Sequence, residues 1–357
     1  MKKIILSAGG TGGHLFPAQS LAAACPDLEI LFVAGGLQNN AYFDQESFAF
    51  EEIECATFSF SKPKDVLKGG IKILKGVRSS QKIISRFQPD LVVGFGSFFT
   101  LPILAAAVFE KIPLILHEQN AIPGKVNRLF SHFANITAIT FPVTCQYLTK
   151  KARQRSREVL FPLRKKEEST KEEILNYFGL TAHARTLLVF GGSQGAERLN
   201  ALFFAALKSL SNVQVLHFTG NEQRAARMRH LYAEQNRVAY VKAFEERMDL
   251  AMQIADLAVV RAGAATIAEL IEYELPALLI PYPFATDNHQ ESNGAHFVSQ
   301  VKGGTMYKEK DLDSNLMATV IEKQLACLCD LKKNILEYKR GRQAVQLHDL
   351  IEGILHE

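Results

Sequence analysis

Short apolar runs alternate with longer amphipathic stretches along most of the chain. The runs predict strands at 3–7, 29–34, 91–94, 113–117 and 136–140 in the first half. In the second half they predict strands at 186–190, 213–218, 238–241, 257–260 and 277–281. These runs are continuously apolar, as strands buried on both faces require, and the stretches between them have the length of covering helices. The pattern predicts two α/β domains built on parallel sheets. Such sheets bind ligands beyond the carboxyl ends of their strands, where strand order reverses. The seam falls within 158–170. Phe161-Pro162-Leu163-Arg164 leaves the last strand of the first half, and the polar run Lys165–Ser169 opens a helix at about 170. The expected domains are 1–162 and 163–340, followed by 341–357. In that last segment Val345, Leu347, Leu350, Ile351, Ile354 and Leu355 mark one helix face, suited to packing back on the first domain.

Composition narrows the class. With 357 residues, 47% apolar and 22% charged, the chain reads as an ordinary globular protein long enough for two full cores. A net charge of +4 is too small to argue for nucleic acid. Five cysteines without a C-x-x-C pair read as reduced thiols. The first residues enter a strand directly, without a cleavable signal pattern. Leu91–Phe109 is uncharged for 19 residues, close to the length of a membrane span. Gly94, Gly96, Ser97 and Pro102 interrupt it, so it reads better as a buried strand, a glycine loop and a small-residue helix. The stretch 62–86 is strongly basic. Lys68, Lys72 and Lys75 interleave there with apolar residues such as Ile71 and Leu74. This is either a solvated basic face over a core stripe or a surface for an anionic membrane.

Two glycine turns stand half a chain apart. Gly9-Gly10-Thr11-Gly12-Gly13-His14 follows the first strand, and Gly191-Gly192-Ser193-Gln194-Gly195 follows the strand at 186–190. A strand, a glycine turn and a helix start offer backbone N–H groups to a phosphate. The first turn has neither G-x-G-x-x-G spacing nor a following Gly-Lys-Ser/Thr, which argues against dinucleotide and triphosphatase sites. His14 is either a packing residue at a helix start or a group that takes a proton near neutral pH. His117-Glu118-Gln119-Asn120 ends another strand, and four polar side chains there are costly to bury without a ligand or partners. Lys125 and Arg128 add positive charge nearby. In Arg261-Ala-Gly-Ala-Ala-Thr266 and Glu269, the last two have capping-box spacing. The alternative is a further phosphate-facing helix start, with Glu269 gripping ribose hydroxyls. Gln290 and Asn293 close a polar cluster after Pro281-Tyr-Pro283. Asp311-Leu-Asp313 has the form of a metal-binding D-x-D but reads as a helix-capping segment. No metal and no other cofactor is expected.

As a set, five segments resemble one family. GGTGGHLFPA (9–18), HEQNAIPGKVNR (117–128), GGSQGAERLN (191–200), RAGAATIAEL (261–270) and PYPFATDNHQESN (281–293) resemble the MurG glycosyltransferases, in order from residue 3 to about 300. The resemblance implies a GT-B fold: two Rossmann-like parallel-sheet lobes with the active site in the cleft between them. It implies an inverting transfer of N-acetylglucosamine from UDP-N-acetylglucosamine to the 4-hydroxyl of lipid I, the lipid-linked muramyl-pentapeptide diphosphate. The product is lipid II, the peptidoglycan precursor. His14 would be the general base, with Glu118 as runner-up. Thr11, Gly12, Gly13, Asn120, Arg164, Ser193, the backbone near Glu245, Ala264, Ala265, Thr266, Glu269, Gln290 and Asn293 map to substrate contacts. Arg261 or Arg164 would face the growing diphosphate charge. A membrane-anchored acceptor favours contact of 62–86 with an anionic bilayer, peripherally on its cytoplasmic face. Other cell-wall synthesis proteins are further partners the family implies. Three positions depart from the family pattern: Ser97 replaces a glycine, Phe161 the asparagine of Asn-Pro, and Val260 a serine. The competing readings are an epimerase of UDP-N-acetylglucosamine, a transferase for another lipid acceptor, and a non-catalytic sugar-nucleotide-binding protein.

Overall fold

A computed structural model describes residues 1–56, 63–192 and 196–356, with the side chains of 63–68 outside the description. The chain divides into two compact units, Met1–Arg164 with Gln343–Glu357, and Lys165–Arg342. The first unit contains β1 (Lys3–Ser7), α1 (Gly12–Ala24), β2 (Glu29–Ala34), β3 (Phe50–Glu52), α2 (Pro63–Phe87), β4 (Leu91–Gly94) and α3 (Leu101–Phe109). It continues with β5 (Leu114–Glu118), α4 (Lys125–Phe130), β6 (Ile136–Ile139), α5 (Lys150–Gln154) and β7 (Ser156–Glu158). The second contains α6 (Lys171–Phe178), β8 (Arg185–Phe190), α7 (Glu197–Ala206), β9 (Val213–Phe218), α8 (Glu222–Glu234), β10 (Ala239–Lys242) and α9 (Met248–Ile254). It ends with β11 (Leu257–Val260), α10 (Ala264–Glu272), β12 (Ala277–Leu279), α11 (His289–His296), β13 (Gly304–Met306), α12 (Ser314–Ala326) and α13 (Leu328–Gly341). The closing helix, α14 (Leu347–His356), belongs to the first unit.

Among the described residues, the first unit holds a seven-stranded sheet in the order β3-β2-β1-β4-β5-β6-β7. The second holds a six-stranded sheet in the order β10-β9-β8-β11-β12-β13. The strand pairs in both sheets are parallel. In β1, Ile5 lies opposite Leu31 on one side and Val92 on the other. Ile4 and Leu6 point to the face covered by Leu15 and Leu21 of α1 and by Ile351 and Leu355 of α14. Ile5 points to the other face, with Ile83 and Ile84 of α2 and Ile103 and Leu104 of α3. Both faces bury apolar side chains, which is why the run is unbroken rather than alternating.

Strand order reverses between β1 and β4 in the first sheet and between β8 and β11 in the second. The glycine turns lie at these two points. The uncharged stretch Leu91–Phe109 resolves into β4, a turn and the nine-residue α3. Among the described residues no helix is long and apolar enough to cross a membrane.

Helix starts fall into two kinds. Side chains cap α6 (Thr170, in a capping box with Glu173), α8 (Asn221) and α12 (Asp313). Asp313 of the D-x-D segment is therefore a capping residue; its Oδ1 accepts the Leu316 N–H at 2.8 Å. The starts of α1, α4 and α10, at Thr11, Gly124 and Gly263, carry no side-chain cap. Their first N–H groups keep the partial positive charge of a helix N-terminus.

Candidate active site

In the first unit the site begins at the β1–α1 turn. Gly10 has φ +88, and a Cβ on Gly9 would lie 2.6 Å from Phe99 Cβ, so the turn closes tightly only with glycine at both positions. Asn40 Nδ2 donates to the Gly10 carbonyl at 2.9 Å and fixes the turn from outside. Thr11 is exposed at the helix N-cap, Gly12 and Gly13 form the first helical positions, and His14 follows, half-buried. The loop after β4 meets this turn across the strand-order reversal. There His14 Nδ1 lies 2.8 Å from the Phe95 carbonyl oxygen. That oxygen only accepts, so Nδ1 carries the proton and the imidazole lone pair is on Nε2.

The end of β5 lies beside His14. His117 is fully buried, with its ring 5.2 Å from that of Phe95 and 5.9 Å from that of Phe161. Burial first, and the nearby His14 charge second, bring its pKa down to about 3, so it stays neutral. Phe161, one of the family departures, thus closes a lid on this ring. Glu118 is 1% exposed. Its Oε1 accepts the Asn120 N–H, and its Oε2 accepts the Gly124 N–H and Asn127 Nδ2, each at 2.9 Å. Burial raises its pKa, and these hydrogen bonds only partly offset that. Both oxygens are spent on shaping the 118–127 loop, which sets Glu118 apart from His14 as a proton acceptor. Asn120 is held through its own carbonyl, which accepts from Thr144 Oγ1 at 3.0 Å.

Arg164 also belongs to the first unit, with its guanidinium 5.4 Å from the centre of the Phe16 ring on α1. Its side chain is exposed.

In the second unit, the turn after β8 has Gly192 at φ +85; Ser193 lies outside the described residues. Across the strand-order reversal, α10 starts at Gly263. Ala264, Ala265 and Thr266 are its first three positions. Thr266 is therefore inside the helix rather than at its cap, and the capping-box reading of Thr266 and Glu269 falls away. The two side chains sit three residues apart on one partly exposed face of α10. Gln290 Oε1 accepts the Tyr282 N–H at 2.9 Å, clipping the loop after β12 to the start of α11. Asn293 is fully buried and donates to the Ala262 carbonyl at 3.2 Å, so it supports the loop before α10 from below.

Arg261 departs from the expectation of a diphosphate contact. It is 6% exposed, and its Nη1 donates to the carbonyls of Ile280 and Pro281 at 3.1 and 3.2 Å. Its Nη2 pairs with Glu309. The guanidinium ties the ends of β11 and β12 together; an arginine so placed is spent on structure.

Beyond β10, the Glu245 carboxylate faces inward. It accepts from Tyr177 and Tyr240 hydroxyls at 3.1 and 3.0 Å and pairs with Lys242 at 3.2 Å. Burial raises its pKa, but the Arg247 N–H, Tyr240 and Lys242 outweigh that and hold it below the usual range. The anchored side chain leaves the backbone of this loop as its outward surface, beside the exposed ring of Phe244.

Along α2, Ile71 and Leu74 are 49% and 53% exposed, and Lys72, Lys75 and Arg78 are exposed beside them. Lys68 lies on the same helix, with its side chain outside the description.

Two contributors, Phe95 and Phe244, escape sequence reasoning, which reads Gln119 only as one of four polar side chains at the end of a strand. Phe95 acts through its carbonyl, which no side-chain pattern reveals. Gln119, within the polar run after β5, touches His14. Phe244 is an isolated aromatic whose exposure only the fold discloses.

Two Rossmann-like units in series, each with a strand-order reversal followed by glycines, have the architecture of the GT-B glycosyltransferases. The glycosyltransferase family 28 N-terminal domain matches residues 4–139, and the family 28 C-terminal domain matches residues 186–351. The chain belongs to this family and, within it, to the MurG glycosyltransferases. A relative in Protochlamydia amoebophila, named UDP-N-acetylglucosamine--N-acetylmuramyl-(pentapeptide) pyrophosphoryl-undecaprenol N-acetylglucosamine transferase, is 43% identical over 90% of this chain and 87% of its own. A relative of the same name in Halothermothrix orenii is 33% identical over 95% of this chain and 94% of its own. The crystal structure of Acinetobacter baumannii MurG is similar in fold, with a TM-score of 0.78 over all of both chains at 24% identity. The kitacinnamycin glycosyltransferase shares the fold more distantly, with a TM-score of 0.71 over 99% of both chains at 13% identity.

Proposed function

We propose that the protein transfers N-acetylglucosamine from UDP-N-acetylglucosamine to the muramyl 4-hydroxyl of lipid I, giving lipid II for peptidoglycan synthesis. The observation that carries the reading is His14: a half-buried imidazole at a strand-order reversal, with its lone pair set on Nε2 by the Phe95 carbonyl. The family membership supplies the substrate class.

The reaction is a single displacement. His14 Nε2 takes the proton of the acceptor hydroxyl. That oxygen forms a bond to C1 of the donor sugar as the bond from C1 to the β-phosphate oxygen breaks. The electron pair leaves with UDP, and the anomeric configuration inverts. Negative charge on the leaving diphosphate is met by the uncapped start of α10 and the backbone at Gly191 and Gly192. Ser193 and Arg164 are assigned to the donor by the family resemblance. Thr266 and Glu269 hold the nucleotide, Glu269 accepting from ribose hydroxyls. Gln290 holds the donor sugar, with Asn293 supporting the loop behind it. The uracil lies against the backbone at Glu245 and the face of Phe244. Thr11, Gly12, Gly13 and Asn120 face the sugars and diphosphate around the reacting hydroxyl. Glu118 shapes that loop. The basic and apolar outer face of α2 rests on the anionic cytoplasmic surface of the membrane and brings the enzyme to its anchored acceptor.

Labelled UDP-N-acetylglucosamine with a lipid I analogue tests the reading. Wild type yields the disaccharide product, and His14→Ala lowers turnover by roughly two to four orders of magnitude, the range for a lost general base. Near-normal turnover in that variant removes the base assignment. Interconversion of the donor sugar without acceptor, in place of transfer, replaces the transferase with an epimerase.

A further inference from the structure

The inner side of the His14 imidazole carries a second contact that the displacement above does not use. Gln119 is 2% exposed, and the nitrogen end of its side-chain amide, Nε2, lies 2.5 Å from His14 Nδ1. The same nitrogen lies 2.8 Å from the Phe95 carbonyl oxygen. Because Phe95 requires a proton on Nδ1, an amide N–H aimed at that nitrogen would oppose donor to donor. The amide therefore turns its oxygen to His14, an orientation fixed by the hydrogen-bond network. Nδ1–H is then shared between two acceptors, an arrangement common in proteins. Among the described residues the other end of the Gln119 amide meets no partner. The contact with His14 is thus what holds this buried amide.

We propose that Gln119 is a positioning residue for the transfer: its amide oxygen, with the Phe95 carbonyl, fixes the His14 tautomer and ring plane. As Nε2 takes the acceptor proton, positive charge spreads onto Nδ1–H. Hydrogen bonds from an ionised donor are roughly twice as strong as neutral ones. The two oxygens therefore hold the ring more firmly in the transition state than in the resting enzyme, which is the condition for raising kcat. Two titratable groups on β5 share this surrounding. His117 remains neutral through burial and the His14 charge, with a pKa of about 3. Glu118, whose pKa burial raises, is engaged by the loop after it. The loop from β4 brings the Phe95 carbonyl to Nδ1.

The inference rests on His14 as base, and the test separates the two. Turnover with UDP-N-acetylglucosamine and a lipid I analogue is measured across pH for wild type, Gln119→Met, Gln119→Glu and His14→Ala, with thermal unfolding as the fold control. Gln119→Met lowers kcat roughly tenfold to a hundredfold, the scale of a misoriented catalytic group, with the donor KM nearly unchanged. Gln119→Glu restores an acceptor at Nδ1 and recovers most of that loss. Its carboxylate favours the imidazolium, so the acid limb of the pH profile moves up by about one pH unit. Full activity in a folded Gln119→Met, or an unmoved acid limb in Gln119→Glu, overturns the inference. Where the Met variant does not fold, the acid limb of the Glu variant decides. Normal turnover in His14→Ala removes the base itself. Loss of activity there with unchanged Gln119 profiles removes only the role of Gln119.

Discussion

Ser97 has φ 80 and ψ 150, a conformation that is essentially the property of glycine. It follows Gly96, itself at φ +87, in the loop that carries Phe95 to His14. The family pattern of a glycine here has a physical reason: without a Cβ the loop closes unstrained. The serine recovers little, because its hydroxyl accepts the Phe99 N–H at a long 3.4 Å. Ser97→Gly should therefore stabilise the protein by about 1 kcal/mol after the entropic cost of glycine, read as a higher denaturant midpoint at unchanged slope. A lower midpoint would mean that the hydroxyl contributes more than its geometry shows. Residues of this scale were unevenly legible. The glycine turn points to His14, the cost of burying a polar run at a strand end to Glu118, and the polar cluster after Pro281-Tyr-Pro283 to Gln290. The sequence did not distinguish an arginine facing a ligand from one like Arg261, whose guanidinium binds two carbonyls of its own sheet. Nor does any pattern encode a carbonyl such as that of Phe95.

Elements were more legible than their edges. The central strands are buried on both faces and read directly as apolar runs. Three strands escaped that reading: β3 (Phe50–Glu52), β7 (Ser156–Glu158) and β13 (Gly304–Met306). Each is three residues long and lies at the edge of its sheet, where polar residues are tolerated and no continuous run develops. Helix α2 shows how one pattern can serve two neighbours. Val77, Ser80, Ile83 and Ile84 are buried against the first unit. At Gly76 a Cβ would lie 2.0 Å from the Glu54 carbonyl oxygen, so glycine lets the helix approach the chain leaving β3. The opposite face carries exposed Ile71 and Leu74 among Lys72, Lys75 and Arg78. The basic stretch thus has both a core stripe and an apolar outer patch, and a purely solvated face would not need the second. Ile71→Ser with Leu74→Ser should weaken binding to anionic vesicles at least tenfold, from about 1–2 kcal/mol of lost burial per side chain. Lys72→Gln with Lys75→Gln should lose about 1 kcal/mol per charge, an effect that vanishes at high salt while the apolar effect persists. Co-sedimentation at two salt concentrations measures both. Unchanged binding in the apolar variant, with its melting temperature preserved, would remove α2 as the membrane contact.

At the scale of the whole molecule, both units close their cores around buried neutral histidines. In the first, α14 returns from the far end of the chain to lay Leu347, Ile351 and Leu355 on the sheet, the packing to which its amphipathic pattern is suited. There His117 lies between Phe95 and Phe161. In the second, His217 is fully buried, its ring nitrogens 2.8 Å from the Tyr232 hydroxyl and 3.1 Å from Asn200 Oδ1. Burial lowers the pKa of each to about 3, and that of His296, also buried in the second unit, to about 4. In the unfolded chain all three titrate near the ordinary value of about 6.5. Between these values the unfolded state binds more protons, so stability is complete above about pH 6.5 and drains as pH falls toward 3. At pH 5 the loss is about 2 kcal/mol per histidine. Carboxylates held below their usual range, such as those of Asp90 and Glu245, add their losses only at lower pH, near their own titration. Glu118 works in the opposite sense, because its raised pKa lets the folded state take up a proton first. The window from pH 6.5 to 5 therefore reports the histidines. Replacing His217 with glutamine, an uncharged side chain that can still donate to Asn200, should remove one histidine's share from the slope of denaturant midpoint against pH. With His117 and His296 in place, the slope in the variant should fall to about two-thirds that of wild type. An unchanged slope would mean that His217 is protonated in the folded protein, with the Tyr232 hydroxyl turned to accept rather than donate.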